Sequence, residues 1–252
     1  MQPTPTRGSR VFLWLTIACA AVAIGGFMPT YWLQLPAHTF KGPPLLHIHG
    51  ALATAWILYL VSQAWLVSSG RLRSHKSWGL VGISLASIVV VIGIVTAIYA
   101  LGIETAAGYG DAARSFLIVP LSAMLGFAGF TAAAIANVRR PDWHKRLMVV
   151  GTVNMLGAAA ARIGFVLATG GGPGARPGLF PPPPALPVIV TGLLLQLILV
   201  AGMIHDRRHL GRIHRAWWIG LAVNIAIIFL RQPIGATPAF IAFADWTTRI
   251  AV

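Results

Sequence analysis

Arg139-Arg140-Pro141-Asp142-Trp143-His144-Lys145 separates two apolar runs, 115–136 and 147–168, each of about the 20 residues that a helix needs to cross a bilayer. The arrangement recurs at a spacing of about seventy residues. Arg71-Leu72-Arg73-Ser74-His75-Lys76 lies before it, and Arg207-Arg208-His209-Leu210-Gly211-Arg212-Ile213-His214-Arg215 after it. In each case an apolar stretch ends in an arginine-rich turn whose histidine opens the next stretch. A repeat of fixed period is one supersecondary unit used several times, so the sequence predicts three helical hairpins.

Working outward, apolar runs cover 11–32, 45–68, 78–101, 115–136, 147–168, 187–204 and 216–234. The expectation is an all-α integral membrane bundle of seven transmembrane helices: a first helix, then three hairpins, in a single domain 1–252. Composition agrees, because 57% hydrophobic and 10% charged residues leave too little polar surface to cover a soluble globule. The run behind Arg7 and Arg10 continues past Cys19 to about Trp32, which favours a retained span over a cleaved signal. After Arg231-Gln232-Pro233 the stretch 237–249 is too short to span, and an interfacial helix anchored by Trp246 is expected there.

The formal charge of +14 sits between apolar runs rather than on amphipathic faces, so it argues for topology and against nucleic acid. Arginine and lysine concentrate around 7–10, 71–76, 139–146 and 207–215, and the positive-inside rule makes that face cytoplasmic. The chain is therefore expected in a bacterial-type cytoplasmic (inner) membrane, amino terminus inside and carboxyl terminus periplasmic, with the lipid bilayer as its first partner. Among the opposite loops, Gly170–Gly174 reads as flexible, and Pro181–Pro184 as a stiff spacer lying against the membrane. All five acids, Glu104, Asp111, Asp142, Asp206 and Asp245, fall in loops or span ends, which disfavours proton relay through buried carboxylates.

Candidate chemistry lies at both ends. On the basic side, His75, His144 and His214 share one depth, and imidazoles brought together there could hold a transition metal or haem. His205 and His209 form an i, i+4 pair, a candidate metal box with His214. The competing reading gives these histidines hydrogen bonds to lipid phosphate or loop-capping roles. On the other side, residues two apart diverge by about 200° on a helix, so only one of His47 and His49 can face the core, and His49 is the deeper. Arg162 is the basic residue set well inside a run, at a depth close to that of His49. A buried arginine costs at least about 2.5 kcal/mol, so it faces a cavity with an acceptor or snorkels to the interface. Asn154, Gln196, Asn224 and Arg231, with Gln63, are either interhelical glue or the lining of a polar cleft with His49 and Arg162.

His47-Ile48-His49-Gly50, Gln63, Gly70-Arg71 with His75-Lys76, Trp143-His144-Lys145-Arg146-Leu147-Met148, Gly211-Arg212-Ile213-His214 and Arg231-Gln232-Pro233 together resemble a group of bacterial polytopic membrane proteins with no assigned activity. A looser resemblance is to membrane b-type cytochromes and ferric-reductase-like bundles, and it implies haem b held by paired histidines. The single cysteine excludes a Cys-based metal site, the seventh run lacks a retinal lysine, and only His205/His209 fits a desaturase box. Two classes stay open. One is a haem- or metal-binding redox membrane protein with a site for quinone or a small anionic molecule near His49 and Arg162. The other is a non-catalytic membrane subunit whose turns contact lipid or another membrane subunit.

Overall fold

The computed structural model describes residues 7–169 and 180–250. Within these the chain is all-helical. Helices α1 (Arg7–Phe27, continued by a π-helical turn Met28–Trp32), α2 (Pro44–Ser68) and α3 (Leu72–Ala106) come first. They are followed by α4 (Gly110–Phe116), α5 (Ile118–Ala136), α6 (Pro141–Met155) and α7 (Gly157–Thr169), then α8 (Ala185–Leu195), α9 (Leu197–Leu210), α10 (Arg215–Gly235) and α11 (Pro238–Ile250). Six of the resulting helical stretches are long and apolar enough to cross a membrane: α1 with its π turn, α2, α3, α4 with α5, α8 with α9, and α10. The pair α6 and α7, bent by 46° at Leu156, adds a seventh if it is one span.

Local chemistry sets the turns at the basic end. Gly70 and Gly211 adopt φ of +77° and +70°, the left-handed conformation in which glycine terminates a helix without steric cost, and they close α2 and α9. Pro141, lacking an N–H where none is needed, opens α6 with Asp142 in its first turn, where a carboxylate complements the helix dipole. His214 caps α10, its Nδ1 accepting the Ala216 N–H at 3.1 Å. The third span of the repeat is longer than 78–101: α3 begins at Leu72, so His75 sits in its first turn rather than ahead of it.

α2 packs on α3 and α5 on α6, the two hairpins expected from the repeat. The third is splayed, with α10 lying mainly against α6 and α5 and only lightly on α9. Trp217 explains the wedge: it is fully buried, and a Cβ on Gly202 of α9 would lie 2.4 Å from its ring. α1 packs against α2, α6, α7 and α9 on one face and leaves Trp14 exposed on the other. The core between these helices centres on Trp56, Phe127, Val150, Leu199 and Trp217. Toward the opposite end the bend at Leu156 directs α7 onto α1 and α8. There Gly26 lets α1 close on α7, since a Cβ at Gly26 would come within 2.3 Å of the Ala159 carbonyl oxygen. α11 rests on α3, α4 and α10, tied by Asp245 to Arg114.

Candidate functional site

At the basic end the three turn histidines do not converge. The His75 and His144 rings lie 6.2 Å apart, edge to face, whereas His214 sits against Trp143 at 5.1 Å. His144 donates its Nδ1–H to the Ala134 carbonyl at 2.9 Å, and His75 Nδ1 is buried with no partner. His205 and His209 stack at 4.1 Å on α9, with His209 donating from Nδ1 to the His205 carbonyl. His214 is occupied as the α10 cap, so the expected His205, His209 and His214 box does not assemble. No group of three His, Cys, Asp or Glu side chains among the described residues is placed to hold a metal ion.

What holds this end is a charge cluster. Arg146 and Asp206 are each 1% exposed, and Arg146 donates from Nε and Nη2 to the two Asp206 carboxylate oxygens at 2.9 and 2.6 Å. This bidentate fork links α6 to α9. Asp206 also accepts from the Trp217 indole N–H at 3.0 Å and from the His214 backbone N–H, while Arg146 Nη1 donates to the Asp142 carbonyl at 2.7 Å. Phe12 of α1 lies stacked beside Trp217, with the Arg146 guanidinium 5.5 Å and the Lys145 ammonium 4.8 Å from its ring centre. Burial, with the Arg146 charge, holds the His214 imidazole below its ordinary pKa, which suits its role as a neutral acceptor.

Two sequence expectations fail here. The turn arginines are not all topology signals, because Arg146 is a buried structural cation. The acids do fall in loops or near helix ends, but two of them are buried all the same, Asp206 near the end of α9 at 1% exposure and Glu104 in the last turn of α3 at 9%. The case against buried carboxylates therefore fails. Asp206 stands immediately after the apolar run of α9, and that position was the available signal. Its partner on another hairpin could not be read from spacing.

The opposite half of the bundle holds a partly open cavity of about 970 Å³. Its walls are mainly apolar, built from all the spans, with Ala23, Ile57, Met124, Val153, Leu195 and Ile228 among them. His49 and Arg162 both line it, as do Glu104, Asn154, Gln196, Asn224 and Arg231. The neighbouring His47 turns elsewhere, bonding the Tyr31 hydroxyl at 3.0 Å beside Phe40. Gln63 is buried outside the cavity.

The polar groups of the cavity are unequally satisfied. Asn154 donates to Asn224 at 2.5 Å, Asn224 to Gln196 at 3.0 Å, and Gln196 to the Gly192 carbonyl at 3.0 Å, an amide chain across α6, α10 and the α8–α9 junction. Arg231 gives one bond, Nη2 to the Val188 carbonyl at 3.0 Å, and its Nε is buried without a partner. Arg162 has a single hydrogen bond among the described residues, 3.3 Å to Ala158 on its own helix, and packs its guanidinium 4.4 Å from the centre of the Phe27 ring. No salt bridge among the described residues involves Arg162, Arg231 or Glu104. Pro181–Pro184 line the cavity mouth instead of serving only as a spacer, and Phe180 packs on Phe165. The expected flexible segment Gly170–Gly174 lies outside the described residues. Comparison with protein-family models, curated proteins and solved structures found no match to this chain.

Proposed function

We propose that the chain is a seven-span protein of a bacterial-type cytoplasmic membrane that takes a long-chain amphipath, a quinone or an acyl lipid, into the cavity beside Arg162 and His49. The observation that carries this reading is the cavity itself. Its volume of about 970 Å³ is at the upper end of ligand sites, and its apolar walls with a few inward-facing polar groups are the usual lining of one. A long apolar chain gains from leaving water or headgroup surroundings for such walls, while Arg162 and His49 supply hydrogen-bond donors to an oxygen-bearing head.

The test is extraction of the purified protein and mass spectrometry of what co-purifies, with a quinone arm and an acyl-lipid arm in rebinding assays. A stoichiometric long-chain molecule is expected, and Ala123→Trp, which fills the cavity, should displace it. Failure of every long-chain molecule to bind would sink the reading.

A redox reading has one observation in its favour. Two imidazoles ligating opposite sides of one iron stand roughly 6 Å apart between ring centres, given metal–nitrogen bonds of about 2.0–2.1 Å. His75 and His144 are 6.2 Å apart but edge to face, so one ring has to turn before both present a nitrogen to one iron, and the Nδ1 bond of His144 to Ala134 is the kind of second contact that orients an imidazole ligand. Oxidised and reduced absorption spectra decide it, because a bis-histidine haem gives a Soret band that His75→Ala and His144→Ala must each abolish.

A further inference from the structure

We infer that the head group of the cavity ligand is an anion, a carboxylate or a phosphate, held by Arg162. This rests on the reading of the cavity as an amphipath site and adds the charge of its occupant. Among the described residues two guanidinium groups and one carboxylate line the cavity, and none is joined to another by a salt bridge. The balance therefore favours a negative guest. Glu104, 9% exposed, lines both the cavity and a small side pocket with Leu101, Ala113 and Leu117, so its carboxylate offsets only part of the cationic lining.

Arg231 is the less suited of the two cations. It is 9% exposed, its Nη2 is engaged by Val188, and a Cβ at Gly192 would sit 3.5 Å from that same nitrogen, so the group is confined between α8 and α10. Arg162 is placed differently. One long bond to Ala158 uses one of its five N–H donors, and the Phe27 ring fixes the guanidinium from one side. The backbone contact of Gly26 with Ala159 brings Phe27 to that position. A planar fork with donors left open among the described residues, held against an aromatic ring, matches the two-oxygen edge of a carboxylate or phosphate. His49, on the facing wall, supplies another polar contact.

The test uses the full chain in an uncharged detergent, with a pyrene-labelled long-chain alcohol as reporter. Hexadecanoate, hexadecyl phosphate, hexadecanol and hexadecyltrimethylammonium compete against it at pH 8. The anions are expected to displace the reporter at least tenfold more effectively than the alcohol, and the ammonium least effectively. The stronger of the two anions identifies the source of the head group. In Arg162→Gln the anion preference should fall to about onefold. Equal displacement by anion, alcohol and ammonium in the unaltered protein would overturn the inference, as would an anion preference surviving in Arg162→Gln. If the reporter itself does not bind, the amphipath reading fails instead. The ligand series on the unaltered protein decides the matter even if the variant does not fold.

Discussion

Arg146 and Arg162 lie on the two halves of one bent helix pair, and their surroundings are opposites. Arg146 is closed in by Asp206, the Asp142 carbonyl and the Phe12 ring, with its donors aimed at acceptors from its own and a distant helix. Arg162 faces a cavity with one long bond to its own helix. A buried charge is tolerable only when paired and hydrogen-bonded, so the first arginine is explained by the fold. The second is only half-buried, the fold engages one of its donors, and the others face the cavity, where a guest can take them. The contrast teaches that residue type and depth alone do not distinguish a structural cation from a binding one; the partners do.

The largest effect should come from breaking the closed end. Asp206→Ala leaves Arg146 buried and uncompensated and frees the Trp217 indole N–H, a change expected to cost about 3–5 kcal/mol. Unfolding in detergent, followed by tryptophan fluorescence, measures it. The double variant Arg146→Met/Asp206→Leu should recover most of the loss, because an apolar pair of similar volume carries no desolvation penalty. A loss below about 1 kcal/mol in Asp206→Ala would mean that the cluster is peripheral to stability.

Glycine contacts come next. Gly26→Ala and Gly202→Ala both introduce a methyl into contacts below 3 Å, but the obstacles differ. At Gly202 the obstacle is the Trp217 ring, which is itself pinned by Asp206. At Gly26 it is the Ala159 backbone, which can move only by shifting α7. Each should cost about 1–3 kcal/mol by overpacking. Only Gly26→Ala should also lower the preference for hexadecanoate over hexadecanol, since it moves Phe27 and Arg162 apart. Equal anion preference in the two variants would detach the α1–α7 contact from the cavity.

The sequence reveals these two regions to different degrees. Helix positions and the basic turns follow from apolar runs and from Gly70, Pro141 and Gly211, because burial and backbone conformation are local properties. Arg162 stands out for the same reason, as a charge inside an apolar run. Arg146 does not, because its run of neighbouring cations masks it and its partner lies on another hairpin. Nor does spacing reveal that His75 meets His144 while His214 turns to Trp143, since helix order around the bundle is a long-range property. The cavity is invisible for a like reason. It is lined from every span, and the 46° bend at Leu156 in its wall has no proline to mark it in the chain.

Replacing Arg162 should affect folding much less than replacing Asp206. Arg162→Gln removes a half-buried charge and leaves no buried partner unpaired, so stability is expected to change by under about 1 kcal/mol. The same unfolding assay checks this, and a loss as large as that of Asp206→Ala would make Arg162 a second structural cation and remove the contrast between the two ends.

The smallest effect belongs to the α10 cap. His214 accepts the Ala216 N–H through Nδ1, which is possible only while the imidazole is neutral, and burial beside Arg146 lowers its folded pKa. The unfolded chain then binds the proton more readily than the folded one, so stability rises with pH over that interval. The contribution is fully present above the unfolded value of about 6.5 and is lost as pH falls through the lower folded value. His214→Ala should cost about 1 kcal/mol at pH 8, the usual worth of a helix cap, and progressively less toward pH 5. Unfolding of both proteins across that range checks the sign. A difference that grows as pH falls would mean that His214 acts as a cation at the closed end, making it a partner of Asp206 instead of a neutral cap.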